Sequence, residues 1–200
     1  MDQVFLARHG ETVWNREGRR QGQLDSPLTA EGLASTHRVA ITIANLPVDS
    51  LFSSPLGRAA TTAKIFAELL NLTPTFIDEL GEVDHGELAG LTNDEIERSY
   101  PGELARRSSD HYRWRFPAGE SYEDADRRAA LALQRVAATG VRSPLLVSHE
   151  MIGRMLLRNL LHLAPDEALT TRQPHDIVYR IDVGKRALGV MRLDSAETPR

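Results

Sequence analysis

Two hundred residues, 41% hydrophobic and 26% charged, describe an ordinary globular domain with room for a substantial core. A net charge of −4, from 24 basic and 28 acidic residues, argues against a nucleic-acid partner while allowing a small cationic pocket, and the absence of cysteine excludes disulfides, thiolate catalysis and cysteine-held metals. No apolar run could span a bilayer and no secretory signal precedes the first strand, so no membrane association and a cytoplasmic location are expected.

The apolar run Val4-Phe5-Leu6-Ala7 leads into Arg8-His9-Gly10-Glu11-Thr12 and reads as a buried strand ending in a tight turn. Residues 13–25 read as a long ordered loop. Ser26-Pro27-Leu28-Thr29 sets up a helix with Thr29 as its N-cap and Gly32 an early irregularity. Leu33, His37, Val39, Ala40, Ile43 and Leu46 are expected on one face, with Pro47 closing the helix. A second short strand, 48–53, runs into Ser53-Ser54-Pro55-Leu56-Gly57-Arg58. The helix from about 57 to 70 is expected to face inward through its alanines and Ile65, Phe66, Leu69 and Leu70.

Residues 73–78 read as a third strand, and 79–90 as an acidic, glycine-punctuated loop. Thr92 caps a short helix containing Ile96, and 101–119 reads as irregular. Ser121 and Asp124 form a capping arrangement for a helix to about 139. Pro144-Leu145-Leu146-Val147-Ser148 is a strand ending at His149, followed by a helix to about 163. Residues 177–183 and 187–193 alternate apolar and polar around Gly184-Lys185, a hairpin or pair of edge strands that could serve a homodimer. One domain over 1–193 with a flexible tail over 194–200 is expected. Strands alternating with helices indicate an α/β fold with a mostly parallel sheet.

Ligands in such sheets bind at the carboxyl ends of the strands. Two strands here end in histidine, at Arg8-His9 and Ser148-His149, and a third strand–helix turn carries Arg58. If those strands are neighbours, two arginines and two histidines gather at one sheet edge beside helix N-termini. That set suits a phosphoryl group, with a neutral imidazole as nucleophile and guanidinium groups holding the charge. A phosphomonoester also needs a proton for its leaving alkoxide, and Glu79, Glu82, Asp84 and Glu87 are all in place by position.

The chain resembles the histidine phosphatase superfamily, in its branch of phosphoglycerate-mutase-like phosphatases. The resemblance runs through Arg8-His9-Gly10-Glu11-Thr12, Trp14-Asn15, Gly18-Arg19-Arg20-Gln21-Gly22, Asp25-Ser26-Pro27-Leu28-Thr29 and Gly32. It continues in Ser53-Ser54-Pro55 with Arg58-Ala59 and Thr62-Ala63, Leu80-Gly81-Glu82 with Gly86 and Gly90-Leu91, Pro117 with Gly119-Glu120-Ser121, and Val147-Ser148-His149. It implies a three-layer α/β/α sandwich and a metal-independent phosphatase acting on a small phosphorylated metabolite, without cofactor. By position it implies His9 as the nucleophile that becomes phosphohistidine and Glu82 as proton donor and acceptor. Arg8, Arg58 and His149 would grip the phosphoryl oxygens, with Asn15, Gln21 and Gly22 as secondary contacts. Two positions depart from the family pattern: Leu88-Ala89 stand before Gly90, and Glu150-Met151 follow His149, placing a negative charge where it narrows the pocket or alters the substrate.

Family members that act as cofactor-dependent mutases carry a longer insertion between the acid block and the Gly-Glu-Ser block. Here 34 residues separate Glu82 from Pro117, which favours water as acceptor. The alternatives are a phosphoglycerate mutase and, outside enzymes, a phospho-ligand-binding regulatory module; a metal hydrolase is disfavoured by the lack of ligand spacings such as His-Glu-x-x-His. His37, His111, His162 and His175 read as structural or surface residues, whereas His85 sits in the acid-bearing loop, where it can line a pocket. The Arg- and aromatic-rich segment 106–116 reads equally as a lid for an anionic substrate or as a solvated charged face pinned by aromatics, and in the first case favours a substrate with a second anionic group.

Overall fold

The computed structural model describes residues 1–192. Six strands form one sheet: β1 (Gln3–Arg8), β2 (Ser50–Ser53), β3 (Pro74–Phe76), β4 (Pro144–Ser148), β5 (Ile177–Asp182) and β6 (Ala187–Arg192), in the order β3-β2-β4-β1-β5-β6. The pairings from β3 to β1 are parallel; β5 runs antiparallel to β1, and β6 antiparallel to β5. β4 lies in the interior of the sheet and is buried at every residue, which explains its unbroken apolar run.

Side-chain alternation on β1 builds two cores. Val4 and Leu6 face one cluster with Leu146, packed by the helices α6 (Tyr122–Ala138) and α7 (Glu150–Leu161) through Ala125, Ala129, Val136, Met155 and Leu156. Phe5 and Ala7 face the other with Leu145 and Val147, packed by α2 (Ala30–Ala44) and α3 (Gly57–Leu70) through Val39, Ile43, Ala63 and Phe66. This period-two division of one strand between two helical layers produces the three-layer α/β/α sandwich.

Local signals behave as expected where caps are involved. Thr29 accepts from the Gly32 N–H, Thr92 caps α4 (Asn93–Ser99) through a full capping box with Glu95, and Ser121 does the same for α6 with Asp124. Gly32 has a packing reason: the Gly10 turn crosses α2 so closely that a Cβ on Gly10 would meet the Gly32 carbonyl at 2.9 Å, and a Cβ on Gly32 would strike Glu11.

Several expectations are corrected. The 13–25 loop contains a helical turn, α1 (Val13–Arg16), held by a Thr12–Asn15 capping box, and 101–119 contains α5 (Glu103–Ser109). A short helix, α8 (Pro165–Thr170), follows α7. On α2 the buried stripe is Gly32, Thr36, Val39, Ala40 and Ile43, so Leu33 and His37 face outward; on α3, Leu69 is exposed. β3 is only three residues long; the hairpin β5–β6 does form, with β5 inside the sheet against β1, β6 at one edge and β3 at the other. The expected tail, 194–200, lies outside the described residues. Among the described residues no helix is long and apolar enough to cross a membrane.

Candidate active site

The parallel registers decide which strand ends meet. Arg8 of β1 lies opposite Ser148 of β4, Ser53 of β2 lies opposite Val147, and the His9 N–H donates to the Ser148 carbonyl at 3.0 Å. His9, His149 and Ser54 therefore emerge side by side at the carboxyl edge. The two imidazoles stand 5.1 Å apart, centroid to centroid.

His9 is buried, and its Nδ1 lies 2.8 Å from its neighbour's carbonyl, Gly10 O. A carbonyl only accepts, so Nδ1 carries the proton and Nε2 keeps its lone pair. Burial first, then the nearby His149, Arg8 and Arg58, holds the His9 pKa well below the ordinary imidazole value. His149 is fully buried and likewise depressed, by burial and then by Arg58 and Arg8. Its Nε2 is 2.8 Å from Ser54 Oγ, while its Nδ1 has no protein partner.

The cations are held by what surrounds them. Arg58, in the first turn of α3, donates to the Gly22 carbonyl (2.7 Å), the Leu24 carbonyl (2.7 Å) and Asp25 (3.1 Å), and its Nε has no protein partner. Those bonds shape the 20–25 wall. Gly22 there has φ +54°, and a Cβ on it would crowd His85 at 3.0 Å, so the position requires glycine. Arg8 pairs with Glu150 (2.9 Å) and donates to the Gln173 carbonyl (3.2 Å), with its Nε also unpartnered. Glu150 in turn reaches Arg154 at 2.7 Å.

Of the four candidate acids, only Glu82 lines the pocket. One carboxylate oxygen accepts from the Val83 and Ile152 N–H groups (2.9 and 3.1 Å), the other from Met151 N–H (3.2 Å). Glu79 instead pairs with Arg135, Asp84 accepts from Gly86 N–H, and Glu87 is exposed. Two of the three donors to Glu82 come from the first turn of α7, which ties the acid loop to the helix after His149.

These residues enclose a cavity of about 190 Å³ lined by Arg8, His9, Asn15, Gln21, Gly22, Arg58, Glu82 and Glu150, with His149 sealed beside His9. It is smaller than the ~300–1,000 Å³ of sites for drug-sized ligands, so it suits a small molecule. Asn15 commits its Oδ1 to Thr12, which leaves its amide N–H groups for the cavity. Among the described residues no three His, Cys, Asp or Glu side chains stand together as a metal site.

Sequence reasoning missed Tyr122, Met151 and the contribution of Arg19 and Arg20 to the wall. Arg20 sits inside the Gly18-to-Gly22 motif, but nothing in the motif tells which side chains turn inward. His175 makes a structural contact beside the site: its Nδ1 donates to the His9 carbonyl at 2.5 Å, and the two rings stand 5.3 Å apart. No spacing signal connects 175 to 9; only the antiparallel approach of β5 to β1 does. In the 106–116 segment, Arg106, Arg113 and Arg115 are exposed and paired with Glu103, Asp110 and Asp124, as in a solvated face, and Arg107 alone lines the cavity.

Comparison with known proteins assigns the chain to a family. A family described as histidine phosphatase superfamily (branch 1) matches residues 4–194. A "Probable phosphoglycerate mutase GpmB" of Yersinia pestis is 37% identical over 186 residues, covering 91% of this chain and 85% of the relative. A mycobacterial glucosyl-3-phosphoglycerate phosphatase complexed with VO3 superposes with a TM-score of 0.80 at 27% identity, over 90% of this chain and 92% of that one. The alpha-ribazole phosphatase of Shigella flexneri superposes with a TM-score of 0.85 over 96% of both chains, at 22% identity, a likeness of fold alone. With the match spanning nearly the whole sequence, the chain belongs to the histidine phosphatase superfamily, branch 1.

Proposed function

We propose that the protein is a metal-independent phosphatase that hydrolyses a small phosphomonoester through a phosphohistidine on His9. The observation that carries this reading is the convergence of a buried, Nδ1-protonated His9 with two arginines holding unpartnered Nε–H groups and the Glu82 carboxylate. His9 Nε2 attacks phosphorus, and the ester P–O bond breaks as Glu82 hands its proton to the departing alkoxide. Glu82, now a carboxylate, takes a proton from water, whose oxygen attacks phosphorus. The P–N bond breaks, releasing phosphate and restoring neutral His9. Arg8, Arg58 and the free Nδ1 of His149 hold the equatorial oxygens; with the Ser54 hydroxyl donating to Nε2, that Nδ1 carries a proton to donate. Asn15, Gln21 and the Gly22 wall contact the phosphate or the rest of the substrate.

A cofactor-dependent mutase is the second reading, favoured by the 37% identical relative. Hydrolysis is favoured by the short 34-residue stretch between Glu82 and Pro117, which limits the cover over the phosphohistidine. Supplying 3-phosphoglycerate separates the two: free phosphate is the expected product, and isomerisation without net phosphate release would overturn the choice.

The role of Glu82 predicts a dependence on the leaving group. Glu82→Gln should slow an alkyl phosphate about 100- to 10,000-fold in kcat, the usual span for a lost general acid. A nitrophenyl phosphate, whose leaving group needs little protonation, should lose much less. Equal losses on both esters would count against Glu82 as the acid.

Glu150 is paired with Arg8, so an incoming phosphoryl group competes with it. Glu150→Gln should tighten inhibition by orthophosphate about fivefold, the scale of a partly exposed ion pair. Weaker phosphate inhibition would mean instead that Glu150 serves to aim Arg8.

A further inference from the structure

Arg128, on α6, lies outside the cavity, and all five of its guanidinium N–H groups are engaged within the protein. Its Nη1 donates to the Glu79 and Gly81 carbonyls at 3.0 and 2.7 Å, and its Nη2 to the Glu82 carbonyl at 3.2 Å. The remaining donors reach Glu120, Nη2 to Oε2 at 2.8 Å and Nε to Oε1 at 2.9 Å. Only arginine offers five donors in one rigid fork. The Leu80 carbonyl, between the others, accepts from the buried Ser148 hydroxyl at 2.7 Å. Four successive carbonyls of the acid loop, 79 to 82, are thus taken up by two side chains. Glu120 closes the clamp: it also accepts from the Asp84 N–H at 2.9 Å, and its own N–H donates to the Asp84 carbonyl at 2.9 Å.

The acid at the centre of this loop has to be held in two protonation states. The Val83, Met151 and Ile152 N–H groups grip the Glu82 carboxylate, which suits the ionised form best. Once Glu82 carries the proton meant for the leaving alkoxide, one oxygen becomes a donor and that grip slackens. The bonds from Arg128 go to backbone carbonyls, which accept equally well in either state. Glu82 is therefore held from behind at the step when the N–H groups in front hold it least. A general acid works only within hydrogen-bond reach of the atom that it protonates.

We propose that Arg128, locked by Glu120, is the positioning residue of the general acid. It fixes the 79–82 backbone so that protonated Glu82 stays aimed at the leaving oxygen. This rests on the phosphatase reading above and deepens it with a residue that touches neither substrate nor the reacting atoms. It also gives a role to Gly119-Glu120-Ser121: Ser121 caps α6 and sets where Arg128 lies two turns on, and Glu120 pairs with it.

The leaving group separates aiming from folding. The alkyl ester is 3-phosphoglycerate or glycerol 3-phosphate, whichever the parent turns over, and the aryl ester is 4-nitrophenyl phosphate. In Arg128→Ala, kcat/KM for the alkyl ester should fall about 100-fold, the scale of a misplacement near 1 Å. For the aryl ester, whose leaving group needs little protonation, the loss should stay under about fivefold. Arg128→Lys should not restore the alkyl ester, because one ammonium cannot span three carbonyls and a carboxylate. Guanidinium chloride far below denaturing concentrations should partly restore Arg128→Ala, since the side chain borders a surface cleft of about 330 Å³ by which the ion can enter. It should do nothing for Arg128→Lys. Amide exchange over 81–84 should quicken in both variants while β1 and β4 stay protected. If Arg128→Ala does not fold, Glu120→Gln is expected to show the same unequal loss on a smaller scale. Equal losses on the two esters in a folded variant overturn the positioning role, as does alkyl turnover within about threefold of the parent. If the parent turns over no alkyl ester, it is the phosphatase reading that fails. Exchange then decides the clamp by itself, and unchanged protection in the loop overturns it.

Discussion

Replacing His9 by alanine is expected to reduce turnover of any phosphomonoester by roughly 10,000-fold or more, the size of loss seen when a covalent nucleophile is removed. The reason is geometric. Gly10 O holds the Nδ1 proton, so Nε2 is the nitrogen with a free lone pair, and burial beside His149 and the cations Arg8 and Arg58 keeps the ring neutral. Asn15 and Gln21 bring amides to the wall, His85 is the other imidazole lining the cavity, and His149 lies sealed beside His9. His149 engages Ser54 through Nε2 and is shut off from solvent. The sheet should survive the change, because the backbone bond from His9 to Ser148 does not involve the side chain. The matching positive result is a radioactive phosphoryl label trapped on the parent from an aryl phosphate, labile in acid and stable in base as a phosphoramidate must be. The label should vanish in His9→Ala. More than 1% residual kcat at the same circular dichroism, or a label that stays, would sink the nucleophile assignment. A phospho-ligand-binding module would bind phosphate but give no label in either protein.

The second large effect is on stability. His9, His85 and His149 are buried, and each has a folded-state pKa well below 6.5, His85 at about 3. Unfolding releases each ring to its ordinary value near 6.5. Above that pH neither state binds the proton, and nothing is lost. Below it the unfolded chain takes up protons that the folded chain refuses, so stability falls as pH falls. Each group contributes up to about 1.4 kcal/mol per pH unit, so three together approach 4 kcal/mol per unit between roughly pH 5.5 and 4.5. For a domain whose whole stability is about 5–15 kcal/mol, that is enough to unfold it in mildly acidic solution. Urea midpoints measured from pH 7.5 to 4.5 in a phosphate-free buffer should hold above 6.5 and then drop steeply; phosphate would mask the drop by binding the folded state. A flat profile across that window would mean that the rings are protonated in the fold. The same depression keeps the nucleophile active below pH 6.5, so acid should stop the enzyme by unfolding it rather than by protonating His9.

How much of this was legible beforehand depends on the range of the signal. The caps at Thr29, Thr92 and Ser121 are three-residue patterns and read directly. The central strands β1 and β4 read equally well, because an interior strand must be apolar along its length. Helix faces were less secure: a stripe over 32–43 admits a rotation of one residue, which put Leu33 on the wrong side and missed Gly32 and Thr36, two small residues where α2 meets the Gly10 turn. The helices α1, α5 and α8 were missed because four to seven residues carry too few turns for a periodic signal.

For the site, the chain by itself determined the reactive edge: two strands ending in histidine, an arginine in the next helix turn, and motifs in the order of one family. Those are properties of short segments, and the roles proposed for His9, Arg8, Arg58 and His149 rest on them. What only the tertiary structure decided depends on segments far apart in sequence. The β1–β4 register set the two imidazoles side by side, and the first turn of α7 singled out Glu82 among four acids by supplying its N–H partners. Packing turned Arg20, in a loop, and Arg107, in α5, inward from positions 87 residues apart, with no acid among the described residues to meet them. Local composition states that an arginine is present; only the fold determines whether it finds a carboxylate, and that difference separates a surface charge from a binding group.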